Sequence, residues 1–549
     1  MKRRNFIRNV AYGSAAGLTL GGVPLNLLAG NPALKRMAAD SVNDKVLVFI
    51  QMHGGNDGLN TLIPISQYDD YYNLRPNIAI RHTGTRSYLE VDNTVDENAR
   101  VGLHPEMLAF KEMYDQDKVA IIQNVGYPDM NLSHFRGRDV VFMGTDESQT
   151  NSYESGWMGR YLDNIYPGYP DAYPSATMLD PIGIELSGTL SLAFHRENGI
   201  PIGLNIGSPE QFYQLINSVG VDPPIAFPDS HAGDELRYIM EFEKKSNQYA
   251  GRLKEVYDAG SNSTVEYPEV YPYASPIRAN NLSSQLKLIA RLIKGGVKTK
   301  IFLCRIGGFD THGEQVDEHD PSLGLHAALL HNLSGAVKAF YDDLANLQID
   351  DKVLSLTFTE FGRRAKSNDS YGTDHGTATP VFVFGTQLNN GIYGVNPLLD
   401  EDTMAANRNN LVYNIDYRQI YTSVIQDWFE GDNEALIQTG FSDWVNDRLP
   451  IVNTTGVDSP YTPGKNATSL HLYPNPVQDQ LHIQVLLELR GQVTLHVIDA
   501  AGRKVKSING EGVFGANSYG MDVSDLENGM YHLQMIHLGK SYSSKFLKL

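Results

Sequence analysis

Four groups of residues in this sequence have the types and positions that metal-assisted chemistry needs. Asn56 and Asp57 follow the apolar run Lys45-Val-Leu-Val-Phe-Ile-Gln51 and lie in the turn His53-Gly-Gly-Asn-Asp-Gly58. Asp310-Thr-His312 follows Lys300-Ile-Phe-Leu-Cys-Arg-Ile306, and Thr359-Glu360 follows Lys352-Val-Leu-Ser-Leu-Thr-Phe358. Asp374-His375 comes just before Thr379-Pro-Val-Phe-Val-Phe-Gly385. Carboxylate oxygens mixed with imidazole nitrogens suit a divalent ion such as Zn²⁺, Mn²⁺ or Ca²⁺. Two such ions could clamp the attacking and leaving oxygens of a phosphoryl or sulfuryl transfer. The expected ligands are Asp57, Asp310, His312, Glu360, Asp374 and His375. Singly, each has an ordinary reading. An Asp-x-His pair also caps loops, and Glu360 equally suits an ion pair with Arg363 or Arg364. His53 and His104 read as plain loop and helix-start histidines. Joint placement carries the metal reading.

That placement follows from the elements. The four apolar runs named above, with Val119-Ala-Ile-Ile-Gln123, read as buried strands. Ser283 to Lys294 and Leu323 to Leu347 carry apolar residues at helical spacing. Strands alternating with helices predict a mainly parallel sheet covered on both faces. In such sheets ligands bind beyond the carboxyl ends of the strands, where the acid and histidine groups fall.

Composition limits the function classes. The chain has 549 residues, 41% hydrophobic and 10% aromatic, with a formal charge of −19. That is a globular chain, and so acidic a one is no general nucleic-acid binder. Its one cysteine excludes an internal disulfide and a Cys-rich zinc site. Residues 1–39 hold Lys2, Arg3, Arg4, Arg8, Lys35 and Arg36 and no acid. The stretch after Arg8 is too rich in glycine and polar residues to span a membrane, so no transmembrane anchor is expected in the mature chain. Residues 451–468 have the Thr, Ser, Pro and Gly content of a linker. Beyond them, 469–549 alternate at the strand period with frequent turns and predict a small β-sandwich. The expected division is an export signal at 1–39, an α/β domain at 40–450, the linker, and the sandwich.

Three resemblances attach to these segments. Arg3-Arg4 followed by Phe6-Ile7 resembles a twin-arginine export signal. The tail looks like the type A C-terminal sorting domain of the type IX secretion system of Bacteroidetes. Its matching residues are Leu472-Tyr-Pro-Asn-Pro476, Ile498-Asp-Ala-Ala-Gly-Arg503, Asp522-Val-Ser-Asp-Leu526, Asn528-Gly-Met-Tyr531 and Lys545-Phe-Leu-Lys-Leu549. The middle resembles the bacterial family known as domain of unknown function 1501, within the alkaline phosphatase-like superfamily. The motifs are Gly54-Gly-Asn-Asp-Gly-Leu-Asn60, Gly102-Leu-His-Pro105, Ser133-His-Phe135, Gly156-Trp-Met-Gly-Arg-Tyr-Leu162, Gly308-Phe-Asp-Thr-His312 with Gln315, Thr359-Glu-Phe-Gly-Arg363 and Gly372-Thr-Asp-His-Gly376.

These resemblances imply an exported protein, secreted or held on the outer-membrane surface of a Bacteroidetes-like bacterium, that engages the type IX machinery. They imply an alkaline phosphatase-like α/β fold and hydrolysis of a small anionic phosphate or sulfate ester. Ser133 would be the nucleophile, with Arg136 or Arg363 holding ester oxygens. Ser133 equally suits a helix cap. The superfamily's acid–histidine spacing is Asp-x-x-x-His, whereas this chain has Asp310-Thr-His312. Glu360-Phe-Gly also stands where Asp-His is usual. A complete two-metal site is therefore in question, and the alternative function is a non-catalytic surface protein that binds a glycan, peptidoglycan or protein partner.

Overall fold

The computed structural model describes residues 19–20, 23–24 and 43–549 apart from 148–153, 171, 189, 218–248, 278, 455–469, 474, 488–490, 500–501, 513–514 and 538–539. Nearly all of the expected signal and linker lie outside these residues. Among the described residues no helix is long and apolar enough to cross a membrane.

Nine strands form the central sheet. They are β1 (Val46–His53), β2 (Val119–Gly126), β3 (Gly183–Leu186), β4 (Leu204–Asn205), β5 (Ile301–Gly307), β6 (Val353–Phe358), β7 (Thr379–Phe384), β8 (Gly391–Tyr393) and β9 (Ile415–Asp416). Their order is β4-β3-β5-β1-β6-β7-β2-β8, with β9 also on β2. All neighbours are parallel except that β7 runs against β6 and β2. The expected mainly parallel sheet is observed, with each strand read from its apolar run found within three residues of its expected ends.

β1 is apolar on both faces because both are covered. Val46, Val48, Ile50 and Met52 pack in one core with the helices α4 (Asn281–Lys294) and α5 (Leu325–Asn346). Leu47 and Phe49 pack in the other with α2 (His134–Met143), α3 (Trp157–Ile165) and α6 (Tyr417–Ser423); α1 (Leu108–Tyr114) joins the first. The Asn280 side chain accepts from the Ser283 amide and starts α4.

The tail forms two antiparallel sheets over a core of its own. One has three strands, β10 (Leu470–Tyr473), β11 (Gln480–Leu487) and β14 (Gly515–Asp522). The other has four, β12 (Gly491–Ile498), β13 (Lys504–Gly512), β15 (Gly529–His537) and β16 (Lys540–Lys548). This is the all-β sandwich that the alternation predicts.

Phe49 lies at the centre of the α2 face. Its ring is fully buried, stacks on Phe358 at 4.3 Å and meets Trp157 edge-on at 6.0 Å. Phe49→Ala is expected to lower unfolding stability by about 3–5 kcal/mol, read from urea denaturation, because the surrounding sheet cannot collapse into the gap.

Candidate functional site

The loops at the carboxyl edge of the sheet meet closely. After β1 the chain turns through Gly54 (φ +125°) and Gly55 (φ +85°), in the left-handed region that glycine tolerates. A Cβ on Gly54 would lie 2.3 Å from the Asp310 nitrogen, so glycine is what lets the β1 and β5 loops touch. Antiparallel β7 starts at this edge, and so His375, just before it, reaches the same place. α2 starts there too. A Cβ on Gly137 would sit 2.8 Å from the Asn131 carbonyl oxygen and 3.0 Å from that of Glu360, so a bare backbone lets the first turn of α2 lie on the Glu360 loop.

Asp310, His375 and His134 converge here. His375 Nδ1 lies 2.9 Å from the Leu132 carbonyl, an acceptor only, so that nitrogen carries the proton. Its Nε2 then faces Asp310 Oδ1 at 3.3 Å with a lone pair. Burial, then the charge of Arg363, holds the His375 pKa below its ordinary value and favours that neutral form. His134 repeats the pattern. Its Nδ1 donates to Glu360 Oε1 at 2.9 Å, which leaves Nε2 3.4 Å from Asp310 Oδ2. Two imidazole lone pairs thus face the two oxygens of one carboxylate. Acceptors so opposed need a cation or added protons between them. The donor atoms of the three residues lie within 4.8 Å of one another. Ligands about 2 Å from one ion can be no more than roughly 4–5 Å apart, so the trio fits a single metal.

Asp310 itself is half exposed. Burial raises its pKa, but the hydrogen bond and charge of Arg363 win and hold it at about 2. Glu360 is fully buried and accepts from the Gly54 amide at 2.9 Å as well as from His134. It therefore orients a histidine in the manner of an outer carboxylate.

The other expected site residues take different roles. Both oxygens of buried Asp57 are held by Arg75, at 2.8 and 2.7 Å, and one also by Gln315 at 2.6 Å. Burial opposes its charge, but Arg75 and His326 keep its pKa below the ordinary carboxylate value. An internal cation thus stands where a metal was expected. His312 Nδ1 bonds Asp310 at 2.8 Å and lies outside the trio. Asp374 is half exposed, 3.9 Å from Arg364, and also lies outside it. Arg363 does not reach out for an ester. It is 1% exposed and donates to the carbonyls of Gly54, Gly55 (2.8 Å), Phe309 (3.1 Å) and Thr373 (2.9 Å), and to Asp310 at 2.6 Å. Arg136 pairs with Glu147 at 3.4 Å. Ser133 is exposed, at the N-cap position of α2, yet its hydroxyl makes no capping bond. His104 does start a helical turn, Nδ1 accepting from the Glu106 amide, as a helix-start histidine should. His134 was not among the expected ligands. Its signal is the motif Ser133-His-Phe135, in which the serine is the more conspicuous residue.

Residues 231–439 match the family model described as "Protein of unknown function (DUF1501)". Residues 471–548 match the "Secretion system C-terminal sorting domain". Both resemblances hold. The DUF1501 match spans Asp310, Glu360, Arg363 and His375, while Asp57, Arg75, Ser133 and His134 precede it. The sorting domain marks the protein for export, to the cell surface or the medium, through secretion machinery. A search of curated proteins finds no match. Among solved structures the chain is similar to an alkaline phosphatase superfamily protein from Vibrio parahaemolyticus, at 9% identity over 81% of this chain and 76% of that one, TM-score 0.33. It is similar to a structure described under the metabolism of multiple glycosaminoglycans by Bacteroides thetaiotaomicron, at 9% identity over 85% of this chain and 89% of that one, TM-score 0.31. It also shares 18% identity with dimeric latent PorU from Porphyromonas gingivalis over 15% of this chain and 9% of that one, TM-score 0.14. PorU and the next structures matched are covered over only 9–18% of their length.

Arg75→Met is expected to leave Asp57 as a buried charge without its main counterion, at a cost of about 3–5 kcal/mol. In the native chain the depressed Asp57 pKa contributes stability above the unfolded value, lost as pH falls through the folded one. In the variant the sign reverses, because an unpaired buried carboxyl has a raised pKa. Urea unfolding of Arg75→Met should therefore weaken from pH 5 to pH 8 relative to the native chain.

Proposed function

We propose that this protein is an exported, metal-dependent hydrolase of phosphate or sulfate esters. The observation that supports it most is the pairing of His134 and His375, each with its Nδ1 proton committed elsewhere, against the two oxygens of Asp310. Two nitrogens and a carboxylate favour Zn²⁺ or Mn²⁺ over Ca²⁺, which prefers oxygen ligands alone. A divalent ion there would supply Lewis-acid stabilisation of negative charge on the ester oxygens. Glu360 and the Leu132 carbonyl fix the two ring orientations. Ser133, between Leu132 and His134, keeps a hydroxyl that capping does not consume, and in this reading it attacks the ester. Arg136 is the nearby cation for ester oxygens, since Arg363 is spent on backbone. Residues 1–39 act as a twin-arginine-like signal of a Bacteroidetes-like bacterium, 40–450 as the catalytic domain, 451–468 as a linker and 469–549 as the sorting domain.

The alternative is a binding protein on the same scaffold. It draws on the Asp57–Arg75 pair, which makes a buried carboxylate expected to bind metal self-sufficient.

Metal analysis of the purified chain after loading with Zn²⁺ or Mn²⁺ separates the two. One ion per chain, lost in His134→Ala and kept in Asp374→Asn, is expected. Ser133→Ala should lower turnover of an activated aryl phosphate or sulfate by on the order of 10³-fold or more. Its melting temperature should stay unchanged, since a lost cap would cost about 1 kcal/mol and none is made here. A chain that takes up no metal would favour the binding protein.

A further inference from the structure

Beside the histidine–aspartate trio, the α2 face of the sheet ends in several donor groups left without an acceptor among the described residues. Arg305, near the end of β5, pairs in register with Gln51 of β1. Its guanidinium is partly buried, with no hydrogen-bond or ion-pair partner among the described residues. Gln51 is 5% exposed and its Nε2 is unpartnered. Arg138 lies one helical turn beyond His134 on α2. Its buried Nε has no acceptor, and its other arm reaches only Asp139, at 3.3 Å. His53, the last residue of β1, has a buried Nδ1 without a hydrogen bond, 3.5 Å from Glu360 Oε1.

These groups share one neighbourhood. Burial, with Arg138 pushing against the pull of Glu360, holds the Arg305 pKa below its ordinary value. Burial, Arg305 and Arg138 likewise depress His53 against the pull of Glu360. The nearby carboxylates are committed elsewhere. Glu185 accepts from the Ser187 hydroxyl and the Ser191 amide, both at 2.8 Å, and Glu360 from Gly54 and His134. Two partly buried guanidinium groups with a single bonded acid between them, Asp139, repel one another, and an anion from outside would offset that cost. The guanidinium fork matches oxyanions, and donors arriving from β1, β5 and α2 suit oxygens that do not lie in one plane.

We infer that Arg305, Arg138, Gln51 and His53 form a binding site for a tetrahedral oxyanion, phosphate or sulfate, about 6 Å along α2 from His134. Combined with the ester hydrolysis proposed above, on which this one step rests, the substrate carries a second phosphate or sulfate beside the group that is cleaved.

The test uses full-length chain stripped of metal by chelation, titrated calorimetrically with inorganic phosphate and sulfate at constant ionic strength. Saturable binding at one site per chain is expected, weakened at least tenfold in Arg305→Gln. Because Arg305 makes no structural bond, that variant should melt no lower than the native chain. Gln51→Glu supplies an internal carboxylate beside Arg305, and it should also weaken binding tenfold without loss of fold. Lys254→Gln, a charge change at a partly exposed lysine paired with Asp258 elsewhere, should leave binding unaltered. Three results would each overturn the site: no saturable binding to the native chain, native affinity in both site variants, or acetate bound as tightly as sulfate. Loss of oxyanion binding with intact metal stoichiometry would remove this inference alone. Intact oxyanion binding in a chain that takes up no metal would remove the hydrolase reading alone.

Discussion

The buried guanidinium of Arg363 organises the carboxyl edge of the sheet. Loops carry backbone carbonyls that must find donors once covered, and Arg363 supplies donors to loops following β1 and β5 and to the segment preceding β7. Its charge is balanced by Asp310, so the same residue that ties the loops together keeps that carboxylate ionised. The convergence of Asp310 with His134 and His375 depends on this stitching. A residue whose motif suggests a substrate clamp is therefore occupied in tying these loops together.

Arg75 has the matching role in a deeper layer. Besides Asp57 it donates to the carbonyls of Ala365 and Arg364, each at 2.7 Å, and so joins the first helical segment after β1 to the loop after Arg363. Asp57 and Asp310 are thus carboxylates of unlike character. Asp57 is sealed with a permanent cation of the protein's own, and burial holds neighbouring His326 at a pKa of about 4. Asp310 is half open, with histidine lone pairs turned toward it.

Much of this was legible in the sequence. Apolar runs bounded by glycine and acid named the strands, and the rule that sites gather at strand ends brought Asp310, Glu360 and His375 to one edge. What the residues could not reveal was which cation answers each carboxylate. Arg75 lies 18 residues from Asp57 and belongs to no motif, and its pairing exists only once the chain folds. Arg363 and Arg305 look alike as letters, yet one is wrapped in carbonyls and the other has none. His134 was hidden by a different cause: a serine before a helix invites a nucleophilic reading, although the next residue is the one whose ring reaches Asp310. Side-chain roles were lost where they depend on contacts distant in sequence, while the sheet survived because its period is local.

The Asp57–Arg75 pair has a consequence for the order of assembly. Small zinc domains stay unfolded until metal arrives, because their ligands have nothing else to neutralise them. Here the buried acid Asp57 is neutralised from within, while Asp310 of the ligand-like trio is half exposed. The inner layer of the site is thus held by contacts the chain makes with itself.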